Sequence, residues 1–241
     1  MKIWIKALFK MHTPAIIRPY LPLDGALSYA YAKLTGFKYE NEEGFIYDNL
    51  PVNRYKYIDE LPIEKTFYDN GKWFYNISAP IYNPSDKKTF KTTITRKYIE
   101  DIDLWSIRFP NIENVKWSYK DKFGKGKEKS YLIAVDTFYV PEFYVLMQID
   151  EENENQVYEI LENVKAIGKK TNQGYGFVEF IDIEDVDVKN FVYEDKLIRP
   201  VPKTLIEDKD YFELKLRLFT PYYVKNEKYT DVCYVDRMFF E

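Results

Sequence analysis

The residues best suited to chemistry lie between 166 and 180, in the run AIGKKTNQGYGFVEF. Gly168, Gly174 and Gly176 are three of the chain's nine glycines and fall within nine positions. Glycine takes positive φ without steric cost and lets a backbone approach a ligand closely. Successive N–H groups in such a loop can form an anion-binding nest. Between the glycines stand Lys169, Lys170, Thr171, Asn172 and Gln173, all hydrogen-bond donors, and Tyr175. Two lysines beside a nest suit phosphate, and Tyr175, flanked by glycines, can point outward. The nucleotide-binding pattern GxxxxGK[ST] is the obvious comparison, and it fails. Position 163 is Asn, and a helix precedes the loop where that motif needs a strand. A plain chain-reversing turn is the competing reading, since short glycine motifs are common.

His12 is the sole histidine, which excludes a two-histidine metal site or a histidine pair. It falls where a first strand runs into a loop, a place for a general base, although most loop histidines are merely exposed. Cys233 is the sole cysteine, so neither an intramolecular disulfide nor a cysteine metal cluster can form. Its setting, DVCYV, reads as a core thiol. The chain contains no GxSxG, HExxH or EF-hand pattern, and its carboxylates fall at no recognisable catalytic spacing. No metal and no small-molecule cofactor is expected, and an enzyme is the less favoured class.

The elements that must position these residues follow from periodicity. Alternation in residues 2–9 puts Ile3, Ile5, Ala7 and Phe9 on one face of a first strand. After a proline-bearing loop, Asp24 can cap a helix to Leu34, with Leu27, Tyr31 and Leu34 facing the core and Gly36 ending it. Residues 131–140 and 143–149 read as strands joined by a short hairpin at 141–142. Residues 150–164 read as a helix with the apolar stripe Val157, Tyr158, Leu161 and Val164, and residues 177–183 as a strand. With 37–130 set aside, the order is βαββαβ, an α+β, ferredoxin-like (RRM-like) core over 1–184. Residues 37–130 become a long insertion after the first helix, with 72–78 and 89–98 its most strand-like pieces. Residues 185–241 become a small β-rich C-terminal extension.

At 241 residues, with 46% hydrophobic and 31% charged residues, the chain is large enough for a proper core and is not disordered in composition. No run approaches the roughly 18 apolar residues of a membrane span, and residues 1–9 lack the apolar core of a signal peptide. A cytoplasmic protein is expected. Net charge is −4, yet residues 88–130 hold 11 Lys or Arg against 6 acids, a local +5 that leaves −9 elsewhere. Within that stretch residues 120–129, KDKFGKGKEK, carry Lys120, Lys122, Lys125, Lys127 and Lys129. Such a segment suits a phosphate-tracking arm or a solvated hairpin tip. The 23 Tyr and 17 Phe suit base stacking as well as they suit β-sheet packing.

A ferredoxin-like core with a glycine-rich loop, residues 168–176, between its second helix and last strand resembles the RAMP superfamily of CRISPR-associated proteins. The stretch PLDGALSYAY at 22–31 and the stretch LIRPVP at 197–202 are similar to the subunit of type IV effector complexes that binds the guide-RNA handle. The resemblance implies a noncatalytic subunit that grips the 5′ handle of a CRISPR RNA and caps a filament of backbone subunits. It also implies the backbone and large subunits as partners, with target DNA nearby, and makes the insertion the family's variable thumb. Some members cut the repeat without metal, which would give His12, with Tyr29 or Lys169, a catalytic role. A ferredoxin-like assembly or regulatory domain without nucleic acid is the third reading.

Overall fold

The computed structural model describes residues 1–18, 20–35, 61–68, 72–96, 131–206, 211–216 and 231–240. It is a mixed α+β structure, mostly strands with few helices. The chain divides into two units, Met1–Lys88 with Phe138–Glu241, and Thr89–Thr137.

In the first unit, β1 (Lys2–Met11) lies at the centre of a three-stranded sheet. It pairs antiparallel with β6 (Glu142–Asp150) on one side and β7 (Val178–Val186) on the other. The alternation of β1 has the predicted effect. Ile5, Ala7, Phe9 and Met11 are buried on one face, beside Phe143, Val145, Met147 and Ile149 of β6. Two helices supply the facing layer, α1 (Asp24–Leu34) and α2 (Glu154–Glu162). Leu27 and Ala30 of α1 and Val157, Ile160 and Leu161 of α2 join this core.

Several expectations need correction. Tyr158 does not belong to the buried stripe of α2. The buried positions are Val157, Ile160, Leu161 and Val164, a regular i, i+3, i+4, i+7 set. Tyr158 stands one residue off that face, 38% exposed, edge-on to Phe180. Asp24 does not cap α1 from outside, because Leu23 occupies the cap position and Asp24 is the first helical residue. Its carboxylate accepts from Gly25 N–H at 2.9 Å, in the first turn where the helix dipole favours an anion. Residues 131–140 do not pair with 143–149. β5 (Tyr131–Tyr139) pairs instead with β4 (Lys88–Arg96). The edge of β6 is already filled by residues 76–81. Ser78 N–H donates to Leu146 O at 2.7 Å, and Ile81 and Tyr144 exchange two backbone bonds of 2.9 Å.

Before that edge segment, β2 (Lys65–Tyr68) and β3 (Lys72–Tyr75) form a hairpin. After β7 come β8 (Val192–Tyr193) and β9 (Lys196–Leu197), a second hairpin. Then β10 (Val201–Pro202), β11 (Phe212–Leu216) and β12 (Asp231–Val235) form a small sheet in which Cys233 is fully buried, as its setting predicts.

The other face of the central sheet is covered by the chain's own C-terminal segment. Val188 and Ile198 pack on Leu146, and the ring of Phe191 meets Trp4 edge-on at 6.1 Å. Arg199 fastens this cover. It is 2% exposed, its Nη1 donates to the carbonyls of Tyr75 and, at 3.1 Å, Ile77, and its Nε donates to Pro200 O at 3.1 Å. Its guanidinium also stacks over Phe74 at 4.1 Å. Burial pulls its pKa down to about 10, against the favourable charge of Asp24, so it stays protonated at neutral pH.

Candidate nucleic-acid interface

The glycine loop is a closed excursion between α2 and β7. Its base is a short ladder: Ile167 N–H donates to Gly176 O at 2.8 Å, and Val178 N–H to Lys165 O at 3.1 Å. Its tip is one 3₁₀ turn, Thr171–Gln173, held between two left-handed residues, Lys170 (φ 62°) and Gly174 (φ 91°).

The loop lies clasped on the segment that follows β1. Lys169 N–H donates to Ile16 O at 2.9 Å and Gly176 N–H to Pro14 O at 2.8 Å. Phe177 N–H donates to Thr13 Oγ1 at 2.9 Å, and His12 N–H to Phe177 O at 2.8 Å. This clasp and the ladder at the base of the loop explain two of the three glycines. A Cβ at Gly168 would fall 2.7 Å from Ile16 O, and one at Gly176 only 2.0 Å from Ile167 O, both at positive φ. Around Gly174 nothing lies within 4 Å of such an atom. Two glycines are therefore required by packing, and the third leaves its backbone open.

The clasp also revises the nest. The N–H groups of Lys169, Gln173, Gly174, Gly176 and Phe177 are spent on intramolecular bonds. The amides of Gly168, Lys170, Thr171, Asn172 and Tyr175 have no hydrogen-bond partner among the described residues. Around them Lys169, Asn172 and Gln173 are exposed, Lys170 and Tyr175 half-buried, and Phe177 is 42% exposed. An anion would thus meet side-chain cations and a short run of amides rather than a full nest.

His12 sits at the rim of the clasp, its Nε2 2.9 Å from Glu179 Oε2, both side chains exposed. The pairing of His12 with the loop that the nuclease alternative requires is present as a backbone contact, His12 N–H to Phe177 O. The structure also adds Thr13, whose Oγ1 accepts from Phe177 N–H. Residues 12–18 carry no periodicity, so nothing in the sequence pointed to their contact with the loop. Tyr29 is 66% exposed on α1 with Lys33 Nζ 5.4 Å from its ring centroid. Among the described residues, neither a hydrogen bond nor a ring contact joins it to His12 or Lys169. Lys120, Lys122, Lys125 and Lys127 lie outside the described residues. Among those residues no group of three or more His, Cys, Asp or Glu is arranged to hold a metal, and no helix is long and apolar enough to cross a membrane.

No protein-family model matches the chain, and no curated protein matches it by sequence. Among solved structures it is similar to a chain of the type III-B Cmr-beta complex bound to cognate target RNA. That match has 13% identity and a TM-score of 0.40, and covers 77% of this chain and 61% of that one. It is also similar to a CRISPR protein from Archaeoglobus fulgidus, at 16% identity and a TM-score of 0.37, covering 98% of this chain and 86% of that one.

Proposed function

We propose that this chain is a noncatalytic, RNA-binding subunit of a CRISPR effector complex that grips the 5′ handle of the guide RNA through its glycine loop. One observation carries the reading. A loop fixed at its own base and onto the segment after β1, with a glycine sterically required at each point, still presents Lys169, Asn172 and Gln173 to solvent. A plain turn needs no such clasp, whereas a phosphate-holding loop gains from being fixed before the ligand arrives. The sequence resemblance to the RAMP superfamily supports the assignment to a handle-binding, filament-capping role with backbone and large subunits as partners. The split β–α–β around β1, with both neighbours antiparallel to it, supports the ferredoxin-like assignment.

RNA would be held differently here from a sheet that stacks bases on its open face, because the C-terminal segment fills that face around Trp4 and Leu146. Among the described residues, Lys169 and Lys170 of the loop clasped beside the end of β1 are the cations offered to the phosphates. A second reading, metal-free cleavage of repeat RNA, draws on His12, which the clasp sets beside the loop and Glu179. The test is to incubate the purified chain with labelled repeat RNA. Bound and intact RNA is expected. Cut RNA whose cleavage stops in His12→Ala would replace the first reading with the second.

A further inference from the structure

Away from the glycine loop, residues 81–84, β6 and the β8–β9 hairpin line a half-open cavity of about 290 Å³. It lies at the lower limit of small-molecule sites, roughly 300–1,000 Å³, with room for one nucleobase and its sugar. Three tyrosines, Tyr82, Tyr144 and Tyr193, line it together with Glu194, Lys196 and Ile198. The rings of Tyr144 and Tyr193 meet edge-on at 6.3 Å.

One feature of this cavity is costly unless it is used. Glu194 and Asp195, at the turn between β8 and β9, hold φ of 49° and 61°, a left-handed pair normally left to Asn and Gly. Strain of this kind collects at ligand clamps. The turn sets the Glu194 carboxylate against the phenols. Burial first, and that carboxylate second, push the hydroxyls of Tyr144 and Tyr193 up from their ordinary value.

We propose that this cavity is a guanine-binding site, with the base against the tyrosine rings and its Watson–Crick edge on the Glu194 carboxylate. The choice of base follows from donor count. Guanine presents two adjacent donors on that edge, N1–H and the exocyclic amine, which a carboxylate accepts together. Adenine and cytosine set one amine beside a ring acceptor, and uracil sets one N–H between two carbonyls, so each would place a lone pair against the carboxylate. Lys196 stands on the same rim to meet O6 or a phosphate. The guanine could come from a free nucleotide or from an unpaired residue in RNA.

The site does not rest on the glycine-loop reading. The test is ligand-observed NMR of the full chain with GMP, AMP, CMP and UMP, together with fluorescence titration of a labelled U8 oligomer and the same oligomer carrying one central G. GMP is expected to bind about fivefold or more tighter than AMP. Glu194→Gln should erase that preference, and Tyr193→Ala should weaken every nucleotide. Lys169→Ala/Lys170→Ala should weaken the oligomers while leaving the GMP preference intact. Discrimination with GMP alone assigns a free nucleotide, and discrimination with the oligomer alone assigns an RNA residue. Equal binding of all bases, a preference that survives Glu194→Gln, or no saturable binding of any probe would overturn the proposal.

Discussion

Gly174→Ala and Gly176→Ala should separate what the loop needs in order to fold from what it needs in order to bind. Both positions are left-handed, at φ 91° and 68°, so an alanine costs about 1–2 kcal/mol at either. At Gly174 the account ends there, since the new methyl meets nothing within 4 Å. At Gly176 the methyl would fall 2.0 Å from Ile167 O, and the clash can be relieved only by parting the two backbones. That movement breaks Ile167 N–H to Gly176 O and Gly176 N–H to Pro14 O, each worth roughly 0.5–1.5 kcal/mol. The expected losses are about 1–2 kcal/mol for Gly174→Ala and about 2–5 kcal/mol for Gly176→Ala. Urea unfolding followed by tryptophan fluorescence reads the difference. Equal midpoints for the two variants would refute the clasp. RNA affinity should rank them the other way relative to stability, with Gly174→Ala losing more binding than its small loss of stability explains.

Two further predictions concern the C-terminal segment. Arg199→Met should destabilise the chain by about 3 kcal/mol or more, because three buried carbonyls lose their donor together. Arg199→Lys should recover only part of the loss, since one ammonium cannot reproduce the guanidinium fork; urea midpoints check both. Asp195→Gly should stabilise by about 1 kcal/mol by relieving φ 61°, raising Tm by about 2–4 °C in a thermal melt.

Much of the architecture is legible in the sequence because it is periodic. The strand β1, the helix α1 and the stripe of α2 all announce themselves through apolar spacing, and the glycine spacing locates the loop. Tyr158 was misplaced because an aromatic next to Val157 looks apolar, although one residue of helical rotation carries it off the face. The sequence does not show the partner of β5 because strand pairing depends on what occupies the edge of β6, and the strand-like run 72–78 gives no sign that residues 76–81 take that edge. Arg199 shows the same limit. In the sequence it is one more charge before a proline, and its burial follows from three carbonyls supplied by residues as distant as Tyr75. The clasp between 12–16 and the loop was invisible for a related reason. It is made almost wholly of backbone groups, which every residue carries, so side-chain identity gives no sign of it.

The central claim is that Lys169 and Lys170, on a pre-fixed loop, hold RNA phosphates. The most direct test is binding of labelled handle RNA as a function of salt, for the natural chain and for Lys169→Ala/Lys170→Ala. Each phosphate contact to a single strand contributes a slope of about −0.7 in log K against log[salt]. The double variant should bind more weakly at every salt concentration, with the slope shallower by about 1.4. Unchanged affinity and an unchanged slope would contradict the claim and leave the loop as a turn.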